Sequence, residues 1–214
     1  MPCRQRILIA DDHLLIAELC QRLLEPEFDV QGIFKDGREL VAAAQRLRPD
    51  LIIVDISMPI LNGLDAAERV RRTIPTVRIV YLTMYPDPEL AGEALLRGCS
   101  GYLLKTCASK EILAAVRSVL LGETYLSEGL SKEIVIQHYW EHWVEDDPCK
   151  ELTDRQREVL QLLAEGKAMK EAADILHTST RTIAFHKYRI MKTLGAKTGA
   201  ELVRYAVRLH LITA

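Results

Sequence analysis

The sequence is short of everything that would take a chain out of dilute aqueous solution. Its apolar runs are brief, Leu51–Val54 among them, against the roughly 20 residues that a bilayer-spanning helix needs. The opening stretch, MPCRQRILIADD, meets an acidic pair after a few apolar residues. No secretory leader with an apolar segment and a cleavage site is therefore expected. The 5 cysteines include no CxxC spacing, and their odd number suits a reduced, cytoplasmic chain rather than a disulfide framework. Repeats and low-complexity stretches are lacking too. With 49% hydrophobic and 27% charged residues, neither a largely disordered chain nor a collagen-like one fits. What remains is a globular chain of 214 residues, room for one large domain or two small ones.

The net charge of −2 hides an asymmetry. Residues 150–214 carry 12 lysines and arginines against 7 acidic residues, whereas residues 1–149 carry 16 against 23. A basic module beside an acidic one points to nucleic acid at the C-terminal end.

The first 122 residues alternate between two periods. RILIA (Arg6–Ala10), DVQGIF (Asp29–Phe34), LIIVD (Leu51–Asp55), RIVYL (Arg78–Leu82) and GYLL (Gly101–Leu104) predict short strands. Nearly continuous apolar runs suit parallel strands buried on both faces. Helices are predicted at Leu14–Leu24, Arg38–Leu47, Leu64–Thr73, Glu89–Arg97 and Lys110–Leu121, with Asp36 and Ser109 as N-caps. This predicts a doubly wound, five-stranded parallel sheet. Residues 123–147 break the rhythm. Ile136, Tyr139, Trp140 and Trp143 share one face of a predicted linker helix. Residues 148–214 turn to helices only. Apolar stripes at Val159/Leu162/Leu163, Ala172/Ala173/Leu176, Ile183/Ile190/Met191/Leu194 and Leu202/Tyr205/Ala206/Leu209 predict a four-helix, all-α helix-turn-helix domain.

In an open parallel sheet, ligands bind beyond the carboxyl ends of the strands. Four of these ends carry polar groups: Asp11-Asp12, Asp55, Thr83 and Lys105. Taken singly, each is an ordinary strand-end residue. Together they place three carboxylates on one sheet edge, where they repel unless a cation neutralises them. Hard oxygen donors with open positions suit Mg²⁺. Lys105 is a point charge able to meet an anion formed on Asp55. The chemistry this allows is phosphoryl transfer to a carboxylate.

Residues 5–122 resemble the receiver domain of two-component response regulators. The resemblance rests on Asp11-Asp12, Asp55 followed by Met58-Pro59 and Gly63, Thr83, and Tyr102 ahead of Lys105. It implies that Asp55 accepts a phosphoryl group from a sensor histidine kinase. It also implies that Asp12, Asp55 and the Ser57 carbonyl ligate Mg²⁺, with Asp11 acting through water. Thr83 would bond a phosphate oxygen, and Tyr102 would turn inward. Thr106 stands where many receivers have proline, so the usual Lys-Pro cis bond is not expected.

Glu151–Ile212 resembles the LuxR-type helix-turn-helix domain, its LTDRQREVLQLLAEG opening and LVRYAVRLHLI close being the specific parts. Ser179 is predicted to cap a helix reaching Leu194. Opposite its apolar stripe stand Arg181, Ala184, Phe185, Tyr188 and Lys192, the face a recognition helix shows to the major groove. Arg181 suits a guanine edge, and Ala184 or Phe185 a thymine methyl. Thr182, Lys187, Arg189, Lys167 and Lys170 suit phosphates, with Ser179 and Thr180 also among the expected contacts. The family often has a polar residue at Ala184, a small one at Phe185, and Ser-Asn at Ala168-Met169.

The reading this supports is a regulator, not an enzyme, that binds paired DNA half-sites as a homodimer when phosphorylated. A Mg-dependent phosphatase of the haloacid dehalogenase type would carry a second Asp two residues after the first, where Ser57 stands. An interaction protein with a silent receiver would lack an acceptor, an acidic pair or the lysine.

Overall fold

The computed structural model describes residues 4–107, 109–128, 130, 135 and 152–213. The linker face of Ile136, Tyr139, Trp140 and Trp143 lies outside the described residues. Residues 1–58 and 62–144 form one compact unit, and residues 145–214 with 59–61 form a second.

The first unit is a sheet of β1 (Arg6–Ala10), β2 (Asp29–Phe34), β3 (Leu51–Asp55), β4 (Arg78–Thr83), β5 (Gly101–Leu104) and β6 (Tyr125–Leu126). All pairings are parallel, in the order β2-β1-β3-β4-β5-β6. The predicted five strands stand at or within a residue of their bounds, and the two-residue β6 extends the sheet at its edge. Helices α1 (Leu14–Leu24), α2 (Gly37–Leu47), α3 (Gly63–Thr73), α4 (Pro88–Leu96) and α5 (Ser109–Leu120) connect them. Asp36 caps α2, its carboxylate accepting from the N–H groups of Arg38 and Glu39. Ser109 is the first residue of α5 rather than its cap.

Strand side chains alternate between faces. Ile7, Ile9, Leu51, Ile53, Val80, Leu82 and Leu103 pack with α1 and α5 residues such as Ala17, Cys20, Ile112 and Val116. The alternate residues Leu8, Ile52, Val54, Ile79 and Tyr81 are buried as fully on the opposite face. Burial on both sides is why these strands read as unbroken apolar runs, at roughly 1.5–3 kcal/mol for each large side chain removed from water. The chain winds outward from β1 to β2, then returns to lay β3 on the other side of β1. The carboxyl ends of β1 and β3 therefore flank the point where the winding reverses, the place where such sheets leave a crevice.

Among the described residues, the second unit is four helices: α6 (Asp154–Ala164), α7 (Met169–Ile175), α8 (Thr180–Leu194) and α9 (Gly199–Arg208). Val159, Leu162, Ala172, Ala173, Leu176, Ile183, Ile190, Leu194, Leu202 and Ala206 make its core. Each helix closes on itself. Gly166, His177, Gly195 and His210 have positive φ. The next N–H in each case returns to the carbonyl five residues back, as in Lys167 to Leu162 (3.0 Å) and Thr178 to Ala173 (2.9 Å).

The N-termini are closed locally as well. Thr153, Ser179 and Thr198 each accept a backbone N–H three residues on. Helix α7 is the exception. Its cap position is Ala168, which has no side-chain acceptor, so only the return bond forms, from the Ala168 N–H to the Glu171 carboxylate (2.7 Å). Ala168→Ser is expected to stabilise this unit by about 1 kcal/mol, read as a higher midpoint in urea. An unchanged midpoint would mean that water already serves the free N–H groups equally well.

Candidate functional site

The strand ends converge. Asp11 follows β1 and is 1% exposed, and Asp55 closes β3 at 2%. Lys105, directly after β5, donates from Nζ to Asp55 Oδ2 (2.8 Å) and to Asp11 Oδ1 (2.9 Å). Its backbone N–H donates to the Thr83 carbonyl (2.6 Å), and the turn closes with Cys107 N–H to Leu104 O (2.9 Å). With Thr106 in place of proline, Lys105 is thus still anchored to the end of β4 and reaches both carboxylates.

Two buried carboxylates share one ammonium, so the pocket is short of positive charge. Burial raises the Asp55 carboxyl above its ordinary range. Lys105 opposes that rise, and the neighbouring Asp11 adds to it. Burial alone would lower the Lys105 ammonium, but the Asp55 charge and the hydrogen bonds to Asp55 and Asp11 outweigh it and hold it raised. Asp12, more exposed, stands at the mouth. Carboxylate oxygens of Asp11, Asp12 and Asp55 and a nitrogen of His13 lie within 4.8 Å of one another. Three hard oxygen donors with a charge deficit fit a divalent cation such as Mg²⁺.

His13 was not foreseen from the sequence. Its N–H donates to Asp11 Oδ1 (2.8 Å), and its Nδ1 lies 3.0 Å from Asp12 Oδ1. The signal was its place directly after the acidic pair, where the chain turns from β1 into α1.

The loop after β3 is fixed by its backbone. Ser57 N–H donates to Asp55 Oδ1 (3.1 Å), and Gly63 N–H donates to the Ile56 carbonyl (2.9 Å). Asn62 caps α3, accepting from Asp65 N–H. A Cβ on Gly63 would stand 2.0 Å from the Asp55 carbonyl oxygen, so only glycine lets α3 begin this close to the acidic residue. Thr83 is buried, and its hydroxyl accepts from Tyr85 N–H (3.2 Å). Tyr102 is fully buried on the face opposite Leu103. Its hydroxyl feels Thr83 without making a well-formed hydrogen bond, and burial pushes the phenol well up.

The second cluster lies on α8. Ser179 accepts from Thr182 N–H (3.1 Å) and starts the helix. Arg181, Ala184, Phe185, Tyr188, Arg189 and Lys192 are exposed, as are Lys167, Lys170 and Thr180, while Thr182 and Lys187 are half-buried. The stripe expected to be free is free, and Ile183, Ile190 and Leu194 are buried behind it. Helix α6 braces the turn before α8, with Arg155 donating to the Leu176 carbonyl (2.6 Å). The arrangement offers an acidic crevice suited to a divalent cation at the sheet edge and a cationic helix face with apolar groups on it.

A family model described as "Response regulator receiver domain" matches residues 7–117, and one described as "Bacterial regulatory proteins, luxR family" matches residues 150–206. The oxygen regulatory protein NreC of Staphylococcus haemolyticus is 35% identical, over 97% of this chain and 99% of the relative. A structure of the RcsB response regulator of Salmonella typhimurium, described in terms of conformational dynamism for DNA interaction, superposes with a TM-score of 0.61. It is 26% identical, over 97% of this chain and 98% of that one. RcsB from Salmonella enterica serovar Typhimurium bound to promoter P1flhDC in the presence of phosphomimetic BeF3- gives 0.57 at 27% identity, over 96% and 99%. The chain belongs to the response regulators that join a receiver domain to a luxR-family domain, a family of DNA-binding transcription regulators.

Proposed function

We propose that Asp55 is the phosphoacceptor. A sensor histidine kinase supplies the phosphoryl group: the P–N bond of its phosphohistidine breaks and an acyl phosphate forms on Asp55. Asp12, Asp55 and the Ser57 carbonyl would hold Mg²⁺, with Asp11 acting through water, and the ion would offset the charge of the carboxylates and of the incoming phosphoryl group. Lys105 pairs with the new anion, Thr83 donates its hydroxyl to it, and Tyr102 is the aromatic group that responds. The receiver spans residues 5–122, the linker 123–147 and the output domain 148–214. The phosphorylated chain acts in the cytoplasm as a homodimer on paired half-sites and is not an enzyme with a metabolic substrate. Among the described residues, no helix is long and apolar enough to cross a membrane.

The observation that carries this reading is the single Lys105 ammonium shared by two buried carboxylates at adjacent strand ends, in a chain whose α8 shows an exposed cationic face. On that face Arg181 and the Ala184–Phe185 pair are the base-reading candidates. Lys167, Lys170, Thr182, Lys187 and Arg189 suit phosphates, with Ser179, Thr180, Tyr188 and Lys192 as further contacts. The test is selection of duplexes from a random pool, with and without beryllofluoride and Mg²⁺. Arg181→Ala should cost roughly 1–3 kcal/mol and relax one base position, whereas Lys187→Ala should weaken all sequences alike and flatten the salt dependence. A pool that emerges random, or the same sequence-independent loss from both substitutions, contradicts the assignment.

A further inference from the structure

Phe185 is 54% exposed and Tyr188 is 68% exposed, one turn apart on α8. Large exposed aromatics are costly to leave in water and mark surfaces that become covered. Two contacts hold the Phe185 ring. The His186 ring meets it edge-on, with centroids 5.8 Å apart at 70°. The Arg189 guanidinium carbon stands 5.2 Å from its centroid, within cation–π range. Burial and the charges of Arg155 and Arg189 lower the His186 pKa. Helix α8, TRTIAFHKYRIMKTL, contains no acidic residue. That charge balance selects a polyanion over a protein partner.

We propose that Phe185 and Arg189 act together as one base reader, taking a thymine and a guanine on neighbouring base pairs in the major groove. This rests on the reading of α8 as the DNA-facing helix. A phenyl ring makes no hydrogen bond, and the apolar group that base edges present in the major groove is the C5 methyl of thymine. Phe185 therefore selects thymine through that methyl. Arg189 lies over the ring, one helical turn from Phe185. A phenyl ring accepts no hydrogen bond from the guanidinium N–H groups in the ordinary sense, so the fork keeps donors for guanine O6 and N7. This moves Arg189 from the phosphate contacts expected of it to the bases. Holding a long side chain in place before binding cuts the ordering cost at the interface, so the guanine contact depends on the aromatic ring beneath it.

The test uses the full chain with beryllofluoride and Mg²⁺ on duplexes it selects from a random pool. Each thymine is replaced in turn by deoxyuridine, which lacks only the methyl, and each guanine by 7-deazaguanine, which lacks N7. Deoxyuridine at one thymine per half-site should lower affinity about fourfold, as expected for one buried methyl. A neighbouring 7-deazaguanine should lower it about tenfold. Phe185→Ala should erase the thymine–deoxyuridine difference and shrink the guanine effect. Phe185→Leu should keep the first and shrink only the second, since it retains apolar bulk without the ring. Equal binding of thymine and deoxyuridine duplexes at every position overturns the proposal, as does a Phe185→Ala chain that still distinguishes them. Loss of self-association without DNA in Phe185→Ala would assign the ring to a protein surface instead. If the chain enriches no sequence at all, the DNA-facing reading of α8 falls with it. Enrichment without any methyl effect removes this inference alone.

Discussion

Asp55→Asn should reduce covalent labelling by acetyl phosphate and Mg²⁺ to background, while the chain stays folded. The amide keeps the volume of the carboxylate but not its nucleophilic oxygen. Asp55 and Asp11 compete for one ammonium in a buried pocket, and the raised Asp55 pKa means that its ionised form works against the fold. Removing that charge leaves Lys105 paired with Asp11. Thermal stability near neutral pH should therefore equal or exceed that of the unchanged chain, which separates lost chemistry from lost structure. Lys105→Ala is the complementary case. The acceptor remains, so the chain should still label, but the acyl phosphate lacks its cation and should raise DNA affinity less. Persistent labelling of Asp55→Asn would move the acceptor to Asp11 or Asp12.

The second large effect is expected from a single methyl group. Gly63→Ala places a carbon 2.0 Å from the Asp55 carbonyl oxygen and 3.0 Å from the Ile56 Cα. Both are backbone atoms, fixed by the β3 ladder and by the Gly63–Ile56 hydrogen bond, so no side chain can turn aside. Overpacking in a tight site costs about 1–3 kcal/mol and more where the backbone must move; the upper end or beyond is expected here. The same shift displaces the acceptor. A misplacement of about 1 Å can cost on the order of a hundredfold in rate. Thermal unfolding and the rate of labelling by acetyl phosphate read the two effects. A variant with the original melting temperature and the original labelling rate would show that α3 can slide outward at little cost.

Four of the five main strands, β1, β3, β4 and β5, were legible because they are buried on both faces, whereas β2 is only half-buried. The polar residues that follow such runs then had to share one edge, which brought Asp11, Asp12, Asp55, Thr83 and Lys105 into view. What periodicity does not carry is lateral order. That β1 lies between β2 and β3, and so sets Asp11 beside Asp55, appears only in the folded sheet. Strand β6 escaped notice because Tyr125 and Leu126 are half-buried and two residues show no period. The Arg97 side chain, ion-paired with Asp65 (3.2 Å), Glu68 (3.3 Å) and Glu93 (2.6 Å), joins α4 to α3 across a sequence gap that no local pattern bridges. The Phe185–Arg189 contact is a different case. Its i, i+4 spacing is that of helix neighbours and was readable as a pair, yet each residue was judged singly.

The helices of the second unit end in bonds made by their own neighbouring residues, at both termini, with His177 and His210 accepting the left-handed backbone that Gly166 and Gly195 take without strain. A segment that settles its own helix ends does not rely on distant residues for those bonds. It is expected to keep its shape when spliced behind an unrelated sensor. On this view the output module is portable, a trait on which recombination between regulators can act, and grafting residues 148–214 onto a foreign receiver should yield a folded chimera.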